Sequence, residues 1–129
     1  MYIDTDILLA FVKKDDWLKP YVSIGKIKNP RSSVFAIIEA EIVLSREYSR
    51  KDVVRMLDEI SRTNIEILDF TKQVLGKSCE FLQKYERLNV FDSVHAAFSF
   101  IHNESILSTD AVFDQIIEIK RMDPREMGR

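Results

Sequence analysis

Cysteine, glycine and proline are nearly missing from this chain: one Cys, three Gly and three Pro in 129 residues. A lone thiol, Cys79, excludes an internal disulfide framework and suits a reducing compartment. With no activating neighbours it reads as a small buried hydrophobe. So little Gly and Pro argues against a linker-rich chain and favours helices. No apolar run approaches a membrane span, and no basic leader precedes an apolar stretch at the N-terminus. The expectation is a soluble, cytoplasmic, unprocessed protein with no membrane partner. An excess of one charge is absent too, since 19 Lys and Arg face 21 Asp and Glu, giving a net charge of −2. A nucleic-acid partner would therefore need a local basic patch rather than a bulk field.

What is present is ordinary for a globular protein: 46% hydrophobic and 31% charged residues, enough for one cored domain over residues 1–129. Short apolar runs alternate with longer amphipathic ones. Met1–Ile3, Ile65–Leu68, Ile106–Leu107 and Ile116–Ile119 read as strands. Helices are expected at Ile7–Lys14, after a cap at Ser32 or Ser33, after Ser49, over Thr71–Tyr85 and over Phe91–Ile101. In the fourth of these, Val74, Cys79, Phe81 and Leu82 are available to the core. Asp16 could cap a further short helix through Trp17 and Tyr21, and GKIKNPR at Gly25–Arg31 is the clearest loop. Strands separated by helices predict an α/β fold with a short parallel sheet and dominant helix content.

The acidic residues fall at unusual places. Asp4 and Asp6 follow the first strand, Asp110 follows Ile106–Leu107, and Asp114 lies one turn further on. Asp92 opens the apolar helix before that strand, and Glu39 and Glu41 interrupt FAIIEAEIVL. In parallel sheets, ligands bind beyond the carboxyl ends of the strands. Each residue also has a bland explanation. Asp6, Asp92 and Asp110 could be helix caps, and either glutamate could face solvent. Taken together, the acids gather hard oxygen ligands without a His or Cys cluster, which suits Mg²⁺ or Mn²⁺ and metal-assisted phosphodiester cleavage. A cation would also relieve the repulsion between carboxylates, roughly 4 kcal/mol at about 4 Å and an effective dielectric near 20.

YIDTDILLAF, SVFAIIEAEIVL, NVFDSVHAAFSF and ILSTDAVFDQI occur in that order over nearly the whole chain. Their order and spacing resemble the PIN-domain family of metal-dependent ribonucleases, which includes VapC-like toxins of type II toxin–antitoxin modules. The resemblance implies a PIN-like fold, with a short parallel sheet flanked by helices. It implies an acidic pocket of Asp4, Glu39, Asp92 and Asp110, with Asp4, Asp92 and Asp110 as the metal ligands. Glu39 is preferred to Glu41 because it stands six residues after Ser33 and has more apolar flanks. Thr5, Asp6, Ser108, Asp114 and Glu41 are secondary candidates. Asp6 departs from the neutral residue usual at its position. The resemblance also implies an RNA substrate, a homodimer and an antitoxin protein as partner.

His95 lies three residues after Asp92, and in an Ala/Phe-rich helix it reads first as a packed, hydrogen-bonded core residue. Lys26, Lys28 and Arg31 form a basic loop that could meet RNA phosphates, and the stripes Val53–Ile60 and Phe70–Leu82 are candidate dimer or core faces. Two rival functions stand beside the ribonuclease. One is a haloacid-dehalogenase-like phosphatase built on Asp4-Thr5-Asp6 and the Asp110/Asp114 pair, which leaves Glu39 and Asp92 without a role. The other is a non-catalytic interaction module whose acids are caps and surface charges.

Overall fold

A computed structural model describes residues 1–127. Among these residues, β1 (Tyr2–Ile3), β2 (Arg31–Ser33), β3 (Glu66–Leu68), β4 (Ile106–Leu107) and β5 (Arg121–Met122) form one parallel sheet in the order β3-β2-β1-β4-β5. Helices α1 (Thr5–Val12), α2 (Val34–Glu47), α3 (Arg50–Ser61), α4 (Lys72–Lys84) and α5 (Val90–Ile101) fill the crossovers before β4. A 3-10 turn, Ala111–Gln115, joins β4 to β5. This is the PIN-like α/β architecture expected from the sequence.

The two-residue alternation of the strands divides the core. Ile3 and Leu107 pack among Leu8, Ala36, Leu44 and Met56, beneath α1, α2 and α3. Tyr2 and Ile106 point the other way, among Val74, Phe81, Phe98 and Phe113, beneath α4 and α5. Successive strand side chains face opposite sides of a sheet, so strands this short serve both cores only because helices cover both faces.

Local chemistry sets the helix ends. Ser33, Ser49 and Thr71 each turn a side-chain oxygen onto the N–H of the third residue of their helix. Asn89 and Asp92 make a reciprocal capping box at the start of α5. Asp4, at the end of β1, caps α1 through the Thr5 N–H. The strand-to-helix turn therefore places this carboxylate at the carboxyl edge of the sheet.

Some expected features fall elsewhere. The last strand is Arg121–Met122, because the Lys120 and Met122 carbonyls receive the Ile106 and Ser108 N–H groups at 2.9 and 3.1 Å. Ile116–Ile119 is a turn whose alternation has another use, burying Ile116 under α5 while Ile117 is exposed. Cys79 and Leu82 are exposed, since Val74, Ser78 and Phe81 hold the inward face of α4 at helical spacing. Arg31 belongs to β2 rather than to the loop before it. The Val53–Ile60 stripe is committed to the core through Val53, Met56 and Ile60.

Packing on α2 and α3 gives a direct contrast. Leu44→Ala, at a fully buried position, is expected to cost about 2–5 kcal/mol. Val54→Ala, at a position 68% exposed, is expected to change stability by less than about 0.5 kcal/mol. Urea unfolding of both variants checks this.

Candidate active site

Beyond the carboxyl ends of β1 and β4, Asp4, Asp6, Glu39, Asp92 and Asp110 line one cleft with Thr5, His95, Asn89 and Thr109. The fold brings them there from different segments. Asp4 ends β1, Asp6 lies in the first turn of α1, and Glu39 is on the second turn of α2. Asp92 sits in the first turn of α5, where the helix dipole favours a carboxylate, and Asp110 caps the turn after β4. Among the described residues, no Lys or Arg lines this cleft.

Asp4 is the anchor. It is only 8% exposed, accepts the Thr5 N–H on Oδ1 at 2.8 Å, and accepts the Ser108 hydroxyl on Oδ2 at 2.6 Å. Burial pushes its pKa above the ordinary carboxylate range, against the opposing charge of His95 and these hydrogen bonds. Asp6 accepts the Thr109 N–H at 3.0 Å, and the Thr109 hydroxyl, on Oδ2, while its Oδ1 is buried without a protein partner. Burial, then the neighbouring Asp4 charge, push Asp6 up to about 6.

Glu39 accepts the Thr5 hydroxyl and lies 2.8 Å from His95 Nε2. Burial opposes its ionisation, but His95 and Thr5 outweigh that and hold its pKa below the usual value. Asp92 is raised by burial, with a smaller contribution from Asp110, against the hydrogen bond from the Asn89 N–H. Asp110 accepts the Val112 N–H on Oδ1 at 2.9 Å.

The bland explanations hold in part. Asp110 is a cap and Asp92 belongs to a capping box, yet both also line the cleft. Asp6 is not a cap; Asp4 is. Glu41 is exposed and does not line the cleft, whereas Glu39 does. Ser108 lies behind Asp4 as its donor. Asp114 turns away, held by Arg121 through two bonds of 2.9 Å that keep its pKa low.

The structure does not bring Lys26, Lys28 or Arg31 to the cleft. Arg31 is ion-paired with Glu66 and Glu104, at the amino ends of the strands, and the two lysines line other depressions. His95 is 1% exposed and hydrogen-bonded, as a core histidine should be, but its partners belong to the site. Asn89 and Thr109, which hold Asp92 and Asp6, escaped the sequence reading. An Asn three residues before Asp92 was the available signal for the first; for the second there was none.

The donor set fits a hard divalent cation. Five carboxylates share the cleft, a buried Asp6 oxygen has no protein partner, and burial raises three of the acids. Ligand atoms of Asp4, Glu39 and His95 lie within 4.8 Å of one another, the tightest such group among the described residues.

A PIN-domain family model matches residues 1–119. Among solved structures, VapBC2 from Rickettsia felis bound to a promoter DNA fragment is similar at a TM-score of 0.76 and 17% identity, over 95% of this chain and 96% of that one. The sarcin-ricin-loop-cleaving toxin VapC20 of Mycobacterium tuberculosis is similar at 0.76 and 15%, over 88% and 92%. FitAcB from Neisseria gonorrhoeae is similar at 0.73 and 13%, over 98% and 99%. Among curated proteins, none matches.

The raised Asp6 gives a pH signature. The folded chain holds this proton up to about pH 6 while the unfolded chain loses it near 3.8, so stability is lost as pH rises between those values. The loss in the cation-free chain is at most about 3 kcal/mol. Asp6→Asn should make that stretch of the profile shallower while the part due to the raised Asp4 and Asp92 remains, which denaturant unfolding in chelator from pH 4 to pH 7 would read.

Proposed function

This chain belongs to the PIN-domain family, and from that premise we propose that it is a Mg²⁺- or Mn²⁺-dependent endoribonuclease, the toxin of a toxin–antitoxin module. The observation that carries the proposal is the convergence of Asp4, Glu39, Asp92 and Asp110 in a cleft that no Lys or Arg lines, among the described residues. Structural sites that bury acids usually pair them with bases. Here the acids outnumber the one buried imidazole, as a site shaped for a cation requires.

In this proposal Asp4, Asp92 and Asp110 are the main ligands of the cation, and Glu39 supports the cation and orients the attacking water. A bound divalent ion supplies a lower water pKa and offsets charge on the phosphate. Thr5 and Ser108 fix Glu39 and Asp4, so the carboxylates keep their places without relying on the substrate. Asp6, with Oδ1 free, is a supporting ligand. RNA phosphates inside the cleft would be met by residues other than Lys26, Lys28 and Arg31, none of which lines it.

The antitoxin partner is supported by the similar structures, one of which is a toxin–antitoxin complex from Klebsiella pneumoniae. An antitoxin protein and a homodimer are part of the proposal. Of the two apolar stripes in the sequence, the first leaves Val54 outside, and the second leaves the larger side chains Phe70, Leu75 and Leu82 outside. Among the described residues no helix is long and apolar enough to cross a membrane, which is compatible with the cytoplasm as the place of action. The phosphatase alternative fails on Asp114. That residue is bound to Arg121 rather than turned to the cleft, so the required acid pair is split.

The test is cleavage of mixed-sequence RNA, with DNA and a phosphomonoester in parallel, in Mn²⁺ or in chelator. RNA cleavage in Mn²⁺ only is expected. Asp92→Asn should lower it by more than the ~100-fold typical of residues that merely orient metal ligands. An active Asp92→Asn protein would remove Asp92 from the site, and turnover of the phosphomonoester alone would overturn the ribonuclease.

A further inference from the structure

Behind Glu39 runs a line of buried groups that the cation site does not itself employ. Ser33 and Tyr2 are fully buried and His95 is 1% exposed. The Tyr2 hydroxyl lies 2.8 Å from Ser33 Oγ on one side and 2.8 Å from His95 Nδ1 on the other. The other ring nitrogen, Nε2, is 2.8 Å from Glu39 Oε1 and 3.3 Å from Thr5 Oγ1.

Proton counting sets the direction of this line. Ionised Glu39 only accepts, so Nε2 must carry a hydrogen to approach it at this distance. In a neutral ring Nδ1 is then bare and accepts from the Tyr2 hydroxyl, which accepts in turn from Ser33. Ser33 Oγ also accepts the Ala36 N–H at 3.0 Å. Every group is then satisfied. Burial, its largest influence, keeps Tyr2 a neutral phenol able to donate. With the hydrogen moved to Nδ1, both donations reverse. The Ser33 hydroxyl is then left without an acceptor among the described hydrogen bonds, and a bare nitrogen faces the Glu39 oxygen.

We propose that His95 is a positioning residue rather than a cation ligand: it is an Nε2–H donor that fixes Glu39, with its tautomer set from behind by Tyr2 and Ser33. The proposal rests on the cation-site reading of the cleft. It separates two roles that proximity alone leaves joined, because Asp4, Glu39 and His95 form the tightest potential ligand group. An oxygen-only site follows, which favours Mg²⁺ and Mn²⁺ over metals that seek an imidazole nitrogen. It also gives Tyr2, on the strand that ends in Asp4, a part in the site it does not touch.

Nitrogen NMR of the full chain labelled at histidine, with and without Mg²⁺, tests the assignment. The sequence has two histidines, so the His95 signals are identified by their loss in His95→Gln. The expected result is a protonated Nε2 in both spectra, with Nδ1 bare in the Mg²⁺ form. Loss of the Nε2 proton when Mg²⁺ is added would overturn the proposal. Calorimetric Mn²⁺ binding supplies a second readout. His95→Gln, whose amide keeps a donor, should bind within about threefold of the parent, and His95→Ala should lose about 10- to 100-fold. Equal losses in the two variants would count against a donor role. A chain that binds no Mn²⁺ would remove the proposed function, while a bare Nε2 in the metal-free spectrum would separately remove this proposal.

Discussion

Burial of the Asp4 carboxylate is the constraint around which the site is arranged. A carboxylate at 8% exposure beside other acids is unfavourable unless its lone pairs are engaged and its charge is offset. Thr5 and Ser108 engage the lone pairs through one backbone and one hydroxyl hydrogen bond. Ser108 follows β4 and Asp4 follows β1, so the parallel pairing of these strands decides whether the donor arrives. The centre of the sheet thus does two jobs. Its side chains divide the core, and its register delivers the donor that makes the acid tolerable.

Charge is offset within the protein only in part. The buried imidazole of His95 lies 3.6 Å from Asp4 and 2.8 Å from Glu39. Burial of the ring disfavours its protonation, whereas Asp4 and Glu39 favour it and together raise its pKa. One imidazole cannot balance five carboxylates, and the remaining demand is what a divalent cation would meet. Asp114 and Asp123 do not line the cleft. These acids lie near the others in sequence or at a neighbouring strand end, yet arginines hold their pKa values low. Acids paired in that way are structural; the unpaired ones form the cleft.

Much of this was legible from sequence because it depends on local spacing. Alternation and helical periodicity foretold most elements, and the resemblance to the PIN family favoured Glu39 over Glu41 through its interval from Ser33. The misses have physical causes. Ile116–Ile119 has the alternation of a strand, but backbone pairing with β4 is decided by the length of the preceding turn, which alternation does not encode. Cys79 lies one residue, about 100° of helix rotation, from the inward-facing Ser78, and sequence reading favours the thiol over the hydroxyl as the core residue. Arg31 looks free in sequence because Glu66 and Glu104, its partners, are 35 and 73 residues away. The Ser33–Tyr2–His95 line joins three elements and could emerge only from the fold.

The central claim, that this cleft is a cation site built from carboxylate oxygens, is met most directly by anomalous diffraction from crystals of the chain grown with Mn²⁺. The account predicts an anomalous peak in contact with Asp4 and with Asp92 or Asp110, and with no nitrogen of His95 among its ligands. A fully formed cleft with no Mn²⁺ peak, or a peak ligated by His95, would contradict it.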